Sequence, residues 1–124
     1  MILILGGAYQ GKLAYAKENL GIQEQQVFSC HDCQIDFTKE CICGIEEFTY
    51  ACVRQELDPV AYFRENAAQW QGSVLICRDI FCGVVPMDAM QRKWRQATGR
   101  LCQYLASEAT QVSRIFCGLE QRLK

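Results

Sequence analysis

The sequence predicts a three-layer α/β domain on a mostly parallel sheet of about five strands. The observations behind this are an apolar run that stops at a glycine pair, a helical pattern just after the glycine loop, and further alternation of apolar runs with helical periodicity. The 124 residues suit one compact domain spanning 1–124, and at 50% hydrophobic and 22% charged the chain can build a core rather than remain disordered. Thirteen Lys and Arg stand against fourteen Asp and Glu, a net charge of −1, so nonspecific binding to nucleic acid or to anionic lipid has no electrostatic basis. No apolar run approaches the length of a membrane span and no basic leader precedes Met1-Ile2-Leu3-Ile4-Leu5, so a cytoplasmic protein without membrane attachment is expected.

Taken in order, Met1–Leu5 reads as a central strand buried on both faces and ended by Gly6-Gly7. Leu13, Ala16, Lys17 and Leu20 lie at helical spacing, with Gly21 as the stop. Short strands are expected through Gln26–Ser29 and around Cys41-Ile42-Cys43. Phe48, Cys52, Val53 and Leu57 mark a helix from Glu46 to Glu56, and Asp58-Pro59 starts another that reaches Trp70. Gln71-Gly72-Ser73 breaks it, Val74–Cys77 is the next buried strand, and a loop ends in Val84-Val85-Pro86. Asp88 and Gln91 have capping-box spacing for the longest helix, Asp88 to Ala109, whose apolar face carries Met90, Trp94, Ala97, Leu101 and Leu105. Val112–Leu119 reads as one last strand.

Between the first strand and the first helix, Gly6-Gly7-Ala8-Tyr9-Gln10-Gly11-Lys12-Leu13 fits G-x-x-x-x-G-K-[ST] everywhere except its last position. Such a loop folds its N–H groups around an anion, the helix start adds positive potential, and Lys12 supplies a point charge for the outer phosphates. Gly6, Gly7, Ala8, Tyr9, Gln10, Gly11, Lys12 and Leu13 are therefore the expected binding loop for ATP or GTP, within a P-loop NTPase-like fold. A dinucleotide fingerprint fits less well, because glycine would be needed where Ala8 stands. Leucine at position 13 weighs against Mg²⁺, since the hydroxyl that normally ligates the metal is replaced by hydrocarbon.

Four blocks of the chain resemble the adenosylcobinamide kinase/adenosylcobinamide-phosphate guanylyltransferase family. Met1–Lys12 is similar to its opening M-I-L-V-x-G-G-A-R-S-G-K-S, and Val74–Pro86 to its V-x-V-S-N-E-V-G-x-G-I-V-P segment. Trp94–Leu105 resembles its R-D-x-x-G-R-x-N-Q-x-L stretch, and Phe116–Lys124 its closing V-x-G-x-P-x-x-L-K. The resemblance implies a nucleotide-dependent kinase acting on the aminopropanol arm of a corrinoid, a place in cobalamin biosynthesis, and self-association into a homo-oligomer. It also implies a catalytic pair of Lys12 and Asp79, the latter standing where the family has a glutamate. Glu46 and Glu47 follow the third strand, where the family carries an acidic residue, and Arg95 and Arg100 are candidates to approach a phosphate or another subunit. The family's guanylylated histidine lies in an H-x-x-x-R segment that this chain lacks. His31, its sole histidine, sits in Ser29-Cys30-His31-Asp32-Cys33, so guanylyl transfer is expected to be absent.

Nine cysteines, an odd number scattered among apolar segments, read as reduced thiols, with Cys52, Cys77, Cys102 and Cys117 inside partly buried elements. Cys30-x2-Cys33 followed by Cys41-x-Cys43 offers an alternative, a zinc-stabilised structural protein, with His31 as a spare ligand. A noncatalytic nucleotide-sensing or interaction module on the same scaffold is the remaining alternative, favoured by Leu13 and the missing acceptor segment.

Overall fold

A computed structural model describes residues 1–80 and 88–124. The loop expectation at Val84-Val85-Pro86 lies outside these residues, as does the second half of the resemblance block that ends there. In chain order the elements are β1 Ile2–Gly6, α1 Lys12–Asn19, a 3-10 turn Glu24–Gln26, β2 Val27–Ser29, β3 Cys41–Cys43, α2 Ile45–Arg54, α3 Pro59–Glu65, α4 Ala67–Trp70, β4 Val74–Arg78, α5 Ala89–Glu108, β5 Gln111–Phe116 and β6 Leu119–Arg122. They form one sheet in the order β2-β3-β4-β1-β5-β6, parallel except for the antiparallel β5–β6 pair. The expected α/β architecture with a mostly parallel sheet is present.

The strand alternation sends successive side chains to opposite faces. Leu3, Ile42, Leu75, Cys77 and Val112 enter one cluster with Phe48 of α2, Phe63 of α3 and Leu101 and Leu105 of α5. Ile4, Cys41, Val74, Ile76 and Ile115 enter the other, against Ala16 of α1. The central strand β1 is buried from both sides, which is why its sequence is apolar without alternation.

The structure departs from the sequence reading at several points. The helix expected from Asp58 to Trp70 is divided at Asn66, whose side chain bonds back to the Tyr62 carbonyl at 2.8 Å and competes with helix continuation. The segment Val112–Leu119 is not one strand: Cys117 (φ 51°) and Gly118 (φ 76°) turn the chain, and β6 returns antiparallel as a sixth strand. Cys117 is therefore an exposed turn residue rather than part of a buried element, whereas Cys52, Cys77 and Cys102 are buried. The inner seam of α5 runs through Thr98, Leu101, Cys102 and Leu105, while Met90 at its start lies outside the buried seam at 36% exposure. Asp88 caps that helix, accepting from the Met90 amide at 2.7 Å. Among the described residues no helix is long and apolar enough to cross a membrane.

Candidate functional site

In a parallel sheet the loops after the carboxyl ends of the strands are where side chains from several elements converge. Here β1, β3 and β4 end side by side, with Gly6 level with Arg78 in register. The glycine loop leaves β1 at that edge. An added Cβ at Gly6 would lie 2.5 Å from the Ile115 carbonyl oxygen, so no larger residue fits between β1 and β5 there. Gly11, at φ 91°, is the N-cap of α1 in the left-handed region, and no side chain caps this helix. The first-turn amides of α1 have no acceptor within the helix and face outward as donors.

A second fastening holds the far side of the loop. The Gln10 side-chain oxygen accepts from the Cys117 amide at 2.6 Å, and its carbonyl accepts from the Gly118 amide at 2.9 Å. The β5–β6 turn that sequence reading missed thus buttresses the loop. Its signal, Cys117-Gly118 inside an apolar run, is a weak one.

In front of the loop lies a cavity of about 320 Å³ whose wall includes Tyr9, Lys12, Leu13, Cys43, Glu46 and Arg78. Lys12 Nζ donates to the Gly7 carbonyl at 2.6 Å, so the ammonium folds back over the loop. Desolvation by burial pulls the Lys12 pKa below its ordinary value, opposed chiefly by the negative field of Glu46. Glu46 is buried in the first turn of α2, where its carboxylate accepts from the Arg78 amide at 2.8 Å. Its backbone carbonyl accepts from Trp94 Nε1 at 2.8 Å and Thr49 Oγ1 at 2.9 Å, and Thr49 pairs with Thr98 of α5 at 2.6 Å. Helix phase separates the two candidate glutamates: Glu46 turns inward and Glu47 is exposed. Sequence reading could not choose between them, because the start of α2 was uncertain by a residue or two.

Asp79 follows β4 directly, its amide donating to the Gly6 carbonyl at 2.7 Å, and its charge contributes to the field at Lys12. Leu13 packs its side chain against the α1-side cluster and presents no donor atom to the cavity. His31 is elsewhere, its ring nitrogens near the Ser29 carbonyl at 3.3 Å and Asp32 at 3.4 Å, in a hollow with Arg54 and Gln55. Arg100 lines a separate groove of about 740 Å³ between α3 and α5, with Asp58, Arg64 and Tyr104.

The zinc alternative gains no support from the packing: Cys30 and Cys33 join the α2-side cluster and Cys41 and Cys43 the α1-side cluster. Among the described residues no three His, Cys, Asp or Glu side chains gather as a metal site.

A family model described as cobinamide kinase / cobinamide phosphate guanyltransferase matches residues 32–123. The matched span runs from just after β2 through β6, taking in Glu46, Asp79 and Trp94, and begins beyond the glycine loop. No curated protein sequence matches the chain.

Proposed function

The chain belongs to the cobinamide kinase / cobinamide phosphate guanyltransferase family, and from that premise we propose that it binds ATP or GTP in the glycine loop and phosphorylates a cobinamide-like alcohol. The observation that carries this reading is the cavity in front of α1, where Lys12 and Arg78 supply positive charge beside uncapped helix amides. Lys12 leaves the Gly7 carbonyl and turns to the outer phosphates, regaining as an ion pair what burial costs its ammonium. Asp79, directly after β4, is assigned to the acceptor alcohol from the family resemblance and from its charge near Lys12. The acceptor oxygen attacks the terminal phosphorus, the bond to the nucleoside diphosphate breaks, and the alcohol proton passes to Asp79.

Magnesium lacks its usual side-chain ligand at the loop, because Leu13 offers hydrocarbon where a hydroxyl is needed. No step is therefore routed through a metal held by this chain. Guanylyl transfer is absent from the proposal, since His31 stands outside the cavity, held by Ser29 and Asp32.

Leu13 favours a second reading in which the scaffold binds nucleotide without turnover, as a sensing or interaction module. Calorimetric titration with ATP and GTP, with and without Mg²⁺, followed by a cobinamide phosphorylation assay, tests both. Binding with product formation supports the kinase. Metal-independent binding without product supports the sensing module, and no binding of either nucleotide removes both.

A further inference from the structure

Among the described residues, aromatic side chains generally have partners. Phe48, Phe63 and Trp70 are fully buried, Tyr50 stacks edgewise on Trp94, Tyr62 accepts from the Ile35 amide, and Tyr104 lies beneath Arg64. Even Phe116, 60% exposed, has the Arg114 guanidinium over its ring. Tyr9 is the exception among the described residues: its side chain is fully exposed at 103%. Its backbone is also at φ 60°, in the left-handed region that a bulky L residue rarely adopts.

The loop does not relax this conformation away, because it is held at both ends. Gly6, the last residue of β1, sits tight against the Ile115 carbonyl of β5, and Gln10 is bonded twice to the β5–β6 turn. Gly7 and Ala8 before it are too small to cover the ring, and the Gln10 side chain after it is bonded to the Cys117 amide. Tyr9 lines the cavity that also holds Lys12, Arg78 and Glu46, so a free aromatic face stands at the rim of a pocket with two cationic side chains and one acid. A backbone outlier that presents an unpaired ring beside such a pocket points to a ligand rather than to folding.

The ligand chemistry that uses both features is a phosphate chain joined to a flat heteroaromatic ring. The geometry points to Tyr9 as a stacking surface for the base of a nucleotide whose phosphates lie in the glycine loop. This rests on the nucleotide-binding reading above and adds the residue that recognises the base. Stacking is tolerant of base identity, since every base has a π-face, so ATP and GTP are both accommodated.

Calorimetric titration of the full chain and of its Tyr9→Phe and Tyr9→Ala variants, using ATP, GTP and inorganic tripolyphosphate, tests the assignment. Circular dichroism checks that each variant is folded. The expected result is that Tyr9→Ala weakens ATP and GTP by about tenfold or more, leaves tripolyphosphate within about twofold, and that Tyr9→Phe binds all ligands as the parent does. Equal losses for nucleotide and tripolyphosphate, or a Tyr9→Phe loss as large as that of Tyr9→Ala, overturn stacking in favour of a hydroxyl or loop effect on the phosphates. Unchanged nucleotide affinity in Tyr9→Ala also overturns it. If the parent binds tripolyphosphate but gains nothing from a base, stacking fails and the phosphate site survives. If the parent binds none of the ligands, the glycine-loop reading itself falls and takes this assignment with it.

Discussion

On the α2 and α5 side of the sheet, Phe48, Phe63 and Trp70 are fully buried together with Leu101 and Leu105, and the aromatic rings meet edge to face at 5.5–5.9 Å. On the α1 side the buried cluster is smaller and aliphatic, with Ile4, Ala16, Val74, Ile76 and Ile115. The first side is held by packing. The second carries the glycine loop, and there the backbone is fixed by glycine geometry and by the Gln10 bonds to the β5–β6 turn. On the proposed reading the loop receives an anion and has to leave its amides uncovered, which leaves backbone geometry rather than side-chain packing to hold it.

The contrast breaks most sharply on the packed side. Phe63→Ala should cost about 3–5 kcal/mol in chemical denaturation, while the fraction that remains folded binds tripolyphosphate as the parent does. A comparable loss of phosphate affinity in folded protein would mean that the two sides are not separable.

Gly6→Ala acts on the other side. The new methyl meets the Ile115 carbonyl, a backbone atom that cannot swing away. A stability loss of about 1–3 kcal/mol is expected, with phosphate binding lost in the folded protein because the loop origin moves. Unchanged binding with reduced stability would separate the loop from the strand that launches it.

These two variants also mark what was legible in the sequence. The run Met1–Leu5, its stop at Gly6 and the periodicity after Gly11 located β1, the loop and α1 nearly to the residue, because burial on both faces leaves an unambiguous apolar signature. The break at Asn66 was not legible, since neither glycine nor proline marks it and a local side-chain bond decides it. The β5–β6 turn was hidden because Cys117 adopts a left-handed φ that cysteine seldom signals. The positions of Lys12 and of the loop between β1 and α1 were readable from spacing. That Glu46 rather than Glu47 lines the cavity followed only from helix phase and from the Trp94 bond of α5 to the Glu46 carbonyl.

Leu13→Ser exchanges a half-buried apolar contact for a hydroxyl beside the cavity. It should lower stability by about 1 kcal/mol and make nucleotide affinity respond to Mg²⁺, measured by titration with and without the ion. No gain in metal response would show that Leu13 is not what sets the parent's behaviour.

The smallest expected effect is on pH dependence. Because burial lowers the folded-state pKa of Lys12 below its ordinary 10.5, the folded protein binds fewer protons than the unfolded chain in the window between the two values. The contribution of Lys12 to stability therefore rises as pH climbs through that window. Phosphate affinity should fall over the same window, since only the ammonium attracts the anion. Denaturation and tripolyphosphate titration followed in parallel at alkaline pH should move in opposite directions, and parallel movement would remove Lys12 from the phosphate site.

The most direct test compares tripolyphosphate and ATP binding by the parent and by Lys12→Ala under identical salt. Retention of fold with a loss of at least about tenfold for both ligands is the predicted result. Undiminished binding of both by folded Lys12→Ala would contradict the claim that this loop and its lysine form an anion site.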